Sequence, residues 1–313
     1  MSAMMETPVV VIDVQRAGPS TGVPTKTEQG DLWQMLGAGF GDFPRIIAAP
    51  TDILDCFRLV PEMHNLADRF QCPGIILSDL LLSEGRSSVD PKQLDFAPDI
   101  DRGAMIVSAD LNKQADAYNR YAITESGISP RAIPGVPGYT HTASTDEHDE
   151  NGVLISDEFT NPLKRRAMME KRQRKVTGIE SAIQPPVLIG EPGATVTLIG
   201  WGSTDGVIRE AVEILNEDGI STNQLQIRWL VPLHGEAIVK VLELSKYSII
   251  VENNFSGQFA RYLRSETSYV PDGYIRKYDG EPFMPHHIVD AVKEQLAGKT
   301  HKTVSVPMHE IMV

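Results

Sequence analysis

A chain of 313 residues, 41% apolar and 23% charged, is long enough to bury two cores and too apolar to be read as disordered. Its formal charge of −13 excludes broad, non-specific binding to nucleic acid or to an anionic membrane, though not a local basic site. Its two cysteines, Cys56 and Cys72, are too few for an iron–sulfur cluster or a structural zinc. They lack a CxxC spacing, so both are expected to be buried apolar side chains in a reducing cytoplasm. The opening MSAMMETPVVVIDV does not read as a signal peptide, and no apolar run is long enough to span a bilayer.

In chain order, VVVIDV (residues 9–14) is an unbroken apolar run, as expected of a strand covered on both faces. A loop rich in Gly, Pro, Ser and Thr follows. EQGDLWQMLGAGF (28–40) reads as a helix and PRIIAAP (44–50) as a strand. TDILDCFRLVPEMHNLADRF (51–70) has helical spacing of its apolar residues, a cap at Thr51 or Asp52, and a kink expected at Pro61. GIILSDLLL (74–82) is a third strand. Strand–helix–strand units of this kind predict a parallel sheet with right-handed crossovers. Residues 84–185 show no period and are expected to form a long ordered connection. Toward its end, NPLKRRAMMEKRQRKVTGIESAI reads as a basic helix with a solvated face, or one that docks an acidic partner. A second alternating pattern starts near Thr195. Strands are expected at TVTLIGWG, NQLQIRWLVPL and YSIIVENN, and helices at GVIREAVEILNEDG, GEAIVKVLELSK and SGQFARYLRSET.

Ligands of open α/β sheets bind beyond the carboxyl ends of strands, which is where the first loop sits. Arg16 offers a planar fork of donors for a carboxylate or phosphate, and Thr21 and Thr25 offer hydroxyls around the same small anion. The Walker order is absent. The competing structure is a plain turn in which Arg16 pairs with a nearby acid. GWGSTDG (200–206) is a loosened dinucleotide fingerprint without the acid that holds a ribose, and close helix–strand packing explains it better. Glu252, Asn253 and Asn254, again at a strand end that opens a helix, either bind a ligand or cap the helix and line an interface, and the second is the expectation. His141 and His148, among carboxylates, are expected in a solvated or interface loop rather than on a metal.

Together, QRAGPSTGVPTKTEQGDL, GISPRAIPG, DEHDENG, VENNFSGQFARYLRSET and KYDGEPFMP resemble, in the same order, the alpha subunit of 2-oxoacid:ferredoxin oxidoreductases, especially the 2-oxoglutarate type. The resemblance implies two α/β domains with parallel sheets. Residues 1–125 are the later part of a thiamine pyrimidine-binding domain, 126–189 an irregular connection with the basic helix, and 190–313 a transketolase C-terminal-like domain. It also implies oxidative decarboxylation of 2-oxoglutarate to succinyl-CoA with reduction of ferredoxin. By the family pattern Arg16 binds the substrate carboxylate, with Thr21 and Thr25 assisting. The family's PITPS-type segment and the glutamate that activates the cofactor are absent from this sequence, so the chain resembles an N-terminally truncated or split alpha subunit, inactive alone. Thiamine diphosphate and magnesium would be shared with or held by a partner, the beta subunit, which would carry the 4Fe-4S cluster. This chain alone would bind neither. The expected assembly is a cytoplasmic hetero-oligomer without nucleic acid or membrane. The alternative is a non-catalytic module that docks to a beta-type subunit.

Overall fold

The computed structural model describes residues 1–106, 118–155 and 160–304. Its frame is two sheets. In the first, β1 (Val9–Gln15), β3 (Pro73–Asp79) and β2 (Ile46–Ala48) run parallel, and β7 (Trp229–Val231) adds antiparallel to β2. In the second, β10 (Lys302–Val304), β9 (Gly273–Arg276), β8 (Tyr247–Glu252), β5 (Val196–Trp201) and β6 (Thr222–Ile227) are parallel neighbours in that order. The edge strand β4 (Val187–Ile189) pairs antiparallel with β6. The α/β architecture expected from the sequence is therefore present, with one antiparallel strand at the rim of each sheet.

The helices are α1 (Ser2–Met5), α2 (Leu32–Leu36), α3 (Ile53–Phe70), α4 (Leu80–Glu84), α5 (Pro162–Gln173) and α6 (Lys175–Ala182) in the first half. The second half holds α7 (Asp205–Glu217), α8 (Gly235–Leu242), α9 (Gln258–Thr267) and α10 (Pro285–Leu296). Asp52 caps α3 by accepting from Asp55 N at 2.6 Å, and Pro61 lies inside the helix. The buried stripe Leu59, Met63, Leu66 and Phe70 packs on Ile46, Ile76 and Ile179. One apolar cluster joins Ile47, Ile75 and Leu77 of the first sheet to Ile199, Trp201, Ile227 and Phe259, so a continuous core crosses between the sheets. Such burial contributes about 1.5–3 kcal/mol per large apolar side chain.

Several expectations are corrected. VVVIDV is not covered on both faces. As β1 it is an edge strand hydrogen-bonded to β3, and Val9, Val11, Ile12 and Val14 are exposed. The helix expected at 28–40 shrinks to α2, because the backbone at Gln29 and Gly30 bonds across to the second half instead of forming a helical turn. The strand expected to reach Leu82 stops at Asp79, whose carboxylate accepts from Leu82 N at 3.2 Å and starts α4. NQLQIRWLVPL splits at Arg228, whose carbonyl accepts from Ala49 N and whose guanidinium is held by Asp55 and Glu62, sending β7 to the other sheet.

The largest correction concerns the basic helix. It is two helices, α5 and α6, with Lys171, Arg172 and Lys175 buried rather than solvated. Their counter-charges lie within the chain. Glu6 Oε1 accepts from Lys171 Nζ at 2.6 Å and Glu6 Oε2 from Lys175 Nζ at 2.7 Å, while Glu147 takes Arg172 at 2.8 Å. Cys72 is buried and Cys56 half-buried, and burial pushes their thiols up to about 12 and about 11. Neither is a poised nucleophile at neutral pH. Ahead of α5 the connection expected at 84–185 is largely irregular where described and tied into the fold, as where Gln71 Nε2 donates to Ser129 O at 2.7 Å; 107–117 and 156–159 lie outside the described residues. Among the described residues no helix is long and apolar enough to cross a membrane.

Candidate functional site

β1 and β3 end at Gln15 and Asp79, while β5 and β8 of the other sheet end at Trp201 and Glu252. The chain from 16 to 31 lies where these ends meet. Gln15 Nε2 donates to Ser78 O, and Gln15 Oε1 accepts from Asp31 N, each at 3.1 Å, so both stems of the loop are tied to one side chain. Ser203 Oγ donates to Asp79 Oδ2, joining the end of β3 to the turn after β5.

The loop closes on itself. Ala17 N donates to Lys26 O at 3.3 Å, Val23 N to Ala17 O at 2.9 Å, and Gly18 N to Glu28 Oε2 at 3.2 Å. Thr27 N donates to Gly280 O at 3.1 Å, and Lys26 pairs with Glu281. Ser20 and Thr25 hold φ of 56° and 58°, and a β-branched residue in that region stores about 1–3 kcal/mol of strain. Backbone strain of this kind persists where the surroundings over-determine the conformation, which suits a loop that fixes a ligand-binding group.

Arg16, Thr21 and Thr25 are all on this loop and all exposed. Thr25 Oγ1 donates to Pro24 O at 2.7 Å. Arg16 makes neither a hydrogen bond nor an ion pair with any described residue, so the turn in which it pairs with a nearby acid is not what forms. Nearby carboxyls are partly sequestered: burial raises Asp13, Glu28 and Asp31 above the usual carboxylate range, and Asp31 raises the first two further.

A cavity of about 240 Å³ adjoins the loop, lined by Thr25, Lys26, Thr27, Leu81, Glu84 and Glu281, among others. A larger cleft of about 740 Å³ is lined by Glu180, Glu236, Glu243 and Glu266 and includes no loop residue. For an anionic ligand its acidic wall is the poorer host. Gly22, at φ 52°, is the hinge of the loop: a Cβ there would lie 1.8 Å from Ala17 O. Gly22→Ala is therefore expected to open the loop and quicken amide exchange over residues 17–28. Because the loop is exposed, the accompanying loss of stability is expected to stay within about 1 kcal/mol. Amide exchange and thermal melts on the same preparation check both halves.

The platform beneath the loop comes from the second half. Glu252 is buried and accepts from Phe259 N at 2.7 Å and Ala260 N at 3.1 Å, capping α9, and burial raises its carboxyl pKa. Asn254 Oδ1 accepts from Gly257 N at 2.7 Å. The capping expected for Glu252–Asn254 is realised, and Asn253 and Asn254 also bond Gln29 of the first half of the chain. Gly200 permits close packing, since a Cβ there would lie 2.3 Å from Ile208 Cδ1. His148 is buried against Tyr121 and its Nδ1 hydrogen-bonds Asp146 O at 2.8 Å, whereas His141 is exposed beside Tyr118.

Sequence reasoning missed Gln29, Asp79 and Ser203 at this site. Only Asp79 had a local signal, as an acid at a strand end. The described residues do not by themselves fit a thiamine diphosphate site. The oxygens of Asp79 and Glu252 are committed to helix caps and neighbouring donors, and no cluster of three metal-ligating side chains occurs among the described residues.

The family profile described as the thiamine diphosphate-binding domain of pyruvate flavodoxin/ferredoxin oxidoreductase matches residues 1–168. The chain belongs to this oxidoreductase family. The transketolase C-terminal domain profile matches residues 187–304. The alpha subunit of 2-oxoacid:ferredoxin oxidoreductase 2 from Aeropyrum pernix is 39% identical over 93% of this chain. The 2-oxoglutarate oxidoreductase subunit KorA of Mycobacterium tuberculosis is 33% identical over 96%. The chain spans 44% of the length of each of these two oxidoreductase subunits. Among solved structures, the 2-oxoglutarate:ferredoxin oxidoreductase of Magnetococcus marinus, with 2-oxoglutarate, coenzyme A and succinyl-CoA bound, superposes with a TM-score of 0.83 at 35% identity. That match covers 94% of this chain and 50% of the other.

Proposed function

We propose that this chain is the part of a 2-oxoacid:ferredoxin oxidoreductase alpha subunit that holds the oxoacid by its C1 carboxylate, with 2-oxoglutarate as substrate and succinyl-CoA and reduced ferredoxin as products. The observation that carries this is the Arg16 guanidinium, unpaired among the described residues and carried on a strained loop where four strand ends converge. A guanidinium fork binds a carboxylate through two parallel hydrogen bonds and so orients the adjacent carbonyl as well as attracting it. In this reading Thr21 and Thr25, exposed on the same loop, assist Arg16. The C1 carboxylate leaves as carbon dioxide, so a clamp that gripped it harder in the ground state than in the transition state would slow the reaction.

Thiamine diphosphate supplies the carbanion chemistry of such enzymes. In this proposal the cofactor, magnesium and a 4Fe-4S cluster belong to the assembly with a beta-type subunit, and the chain alone turns over no oxoacid. The exposed apolar edge of β1 supports assembly with another polypeptide. The division at 1–125, 126–189 and 190–313 and a cytoplasmic setting are part of the same proposal.

The test is thiamine diphosphate- and CoA-dependent reduction of ferredoxin by the chain assembled with a beta-type subunit. The expected result is turnover with 2-oxoglutarate at a higher kcat/KM than with pyruvate. Assembly without turnover on any oxoacid, all cofactors present, would return the chain to the alternative of a non-catalytic docking module.

A further inference from the structure

We infer that Gln29 is the positioning residue that sets the Arg16 loop in place from the second half of the chain. The inference rests on the role proposed for Arg16 and names what holds it. Gln29 is 1% exposed, and all four of its polar groups bond to segments more than 170 residues away. Its backbone N donates to Asn253 O at 2.6 Å and its backbone O accepts from Asn254 Nδ2 at 3.1 Å. Its side chain repeats the pattern: Nε2 donates to Trp201 O at 2.7 Å and Oε1 accepts from Asn253 N at 3.0 Å. The side-chain amide lies over Gly202, where a Cβ would come within 3.1 Å of Nε2.

Two residues on, Asp31 N donates to Gln15 Oε1, and Gln15 is bonded to Arg16. The connection from the end of β8 to the guanidinium is thus short: Asn253 and Asn254, Gln29, Asp31, Gln15, Arg16. The remaining tethers from the loop to that half include the backbone bond from Thr27, the bond that Gln258 Nε2 donates to Gly30 O at 2.5 Å, and the exposed Lys26–Glu281 pair. An exposed ion pair is worth little, whereas a buried hydrogen bond left unmade costs the full desolvation of its partner. Gln29 therefore makes more buried bonds to that half than any other residue of the loop, and loss of its side-chain pair loosens the loop while the backbone bonds remain.

Gln29→Glu is the sharp variant because it keeps the shape. Its carboxylate faces Trp201 O with no hydrogen to donate, yet it regains a donor when protonated. In the assembled oxidoreductase, Gln29→Glu is expected to raise the 2-oxoglutarate KM roughly tenfold at pH 8 with kcat within about twofold, the rise shrinking as pH falls to 6. Amide exchange over residues 17–28 should quicken, and the melting point should drop at pH 8, where a buried carboxylate faces Trp201 O, and recover toward pH 6. Gln29→Ala should raise KM by a similar factor with no pH-dependent recovery. Arg16→Ala run alongside separates the two failures. A raised KM in Arg16→Ala with none in either Gln29 variant overturns the positioning role. An unchanged KM in Arg16→Ala overturns the clamp itself, and the positioning role with it.

Discussion

Replacing Glu6 by glutamine is expected to destabilise the folded chain by about 3–5 kcal/mol at pH 7, the cost of leaving a buried charge without its partner. Glu6 is fully buried and is the shared counter-charge of Lys171 and Lys175, while Arg120 Nη2 donates to its backbone oxygen at 2.7 Å. The carboxylate thus ties the segment ahead of β1 to α5 and α6, and the backbone oxygen ties it to the loop that carries Arg120. Burial opposes ionisation of Glu6, but Lys175 and Lys171 outweigh it and hold the carboxyl below the usual range. Its contribution is therefore present above its ordinary value of 4.5 and is lost as pH falls through the lower folded value.

Lys171 acts in the opposite sense. Burial lowers its ammonium from 10.5 to about 8 despite Glu6. Between those values the unfolded chain binds more protons than the folded one, so this group makes stability rise with pH. In Glu6→Gln, Lys171 loses the carboxylate that favours its charged form and sheds its proton at lower pH than in the parent, so the deficit should narrow as the pH rises toward about 8 and level off above it. The triple variant Glu6→Leu, Lys171→Met, Lys175→Met should return stability to within about 2 kcal/mol of the parent, because well-packed apolar groups substitute for a buried ion pair. Denaturant midpoints at pH 7 and pH 9 check all of this. A Glu6→Gln midpoint equal to the parent's at pH 7 would sink the account of the triad.

Arg16→Ala is expected to do the reverse: leave stability untouched and impair function. The side chain makes no bond with a described residue, so its removal leaves no buried group unpaired. If it holds the C1 carboxylate in an assembled enzyme, its loss should raise the oxoacid KM about 10–100-fold, the worth of hydrogen bonds to a charged group. Arg16→Lys should recover only part, because an ammonium supplies the charge without the planar fork. Initial rates across oxoacid concentration, with melts on the same samples, separate this from misfolding.

What was legible in the sequence follows from how local each feature is. The Asp52 cap of α3, the close packing at Gly200, the capping at Glu252–Asn254 and the two alternating halves are all written within a few neighbouring residues. So is the placement of Arg16 just beyond a strand end. The features that escaped depend on partners distant in sequence. VVVIDV has the composition of a strand buried on both faces, and only its neighbours decide that β1 stands at an edge. Lys171 and Lys175 look solvated until Glu6, 165 and 169 residues earlier, is brought against them. Gln29 has nothing to mark it until Trp201 and Asn253 arrive. The split at Arg228 likewise needs Asp55, 173 residues away.

The most direct measurement compares 2-oxoglutarate with succinic semialdehyde, the same skeleton without the C1 carboxylate, as electron donors in the assembled enzyme. In Arg16→Ala, kcat/KM for the oxoacid is expected to fall by about tenfold or more, while that for the semialdehyde stays within about twofold of the parent. An equal fall for both substrates, or no fall for either, contradicts a carboxylate clamp at Arg16.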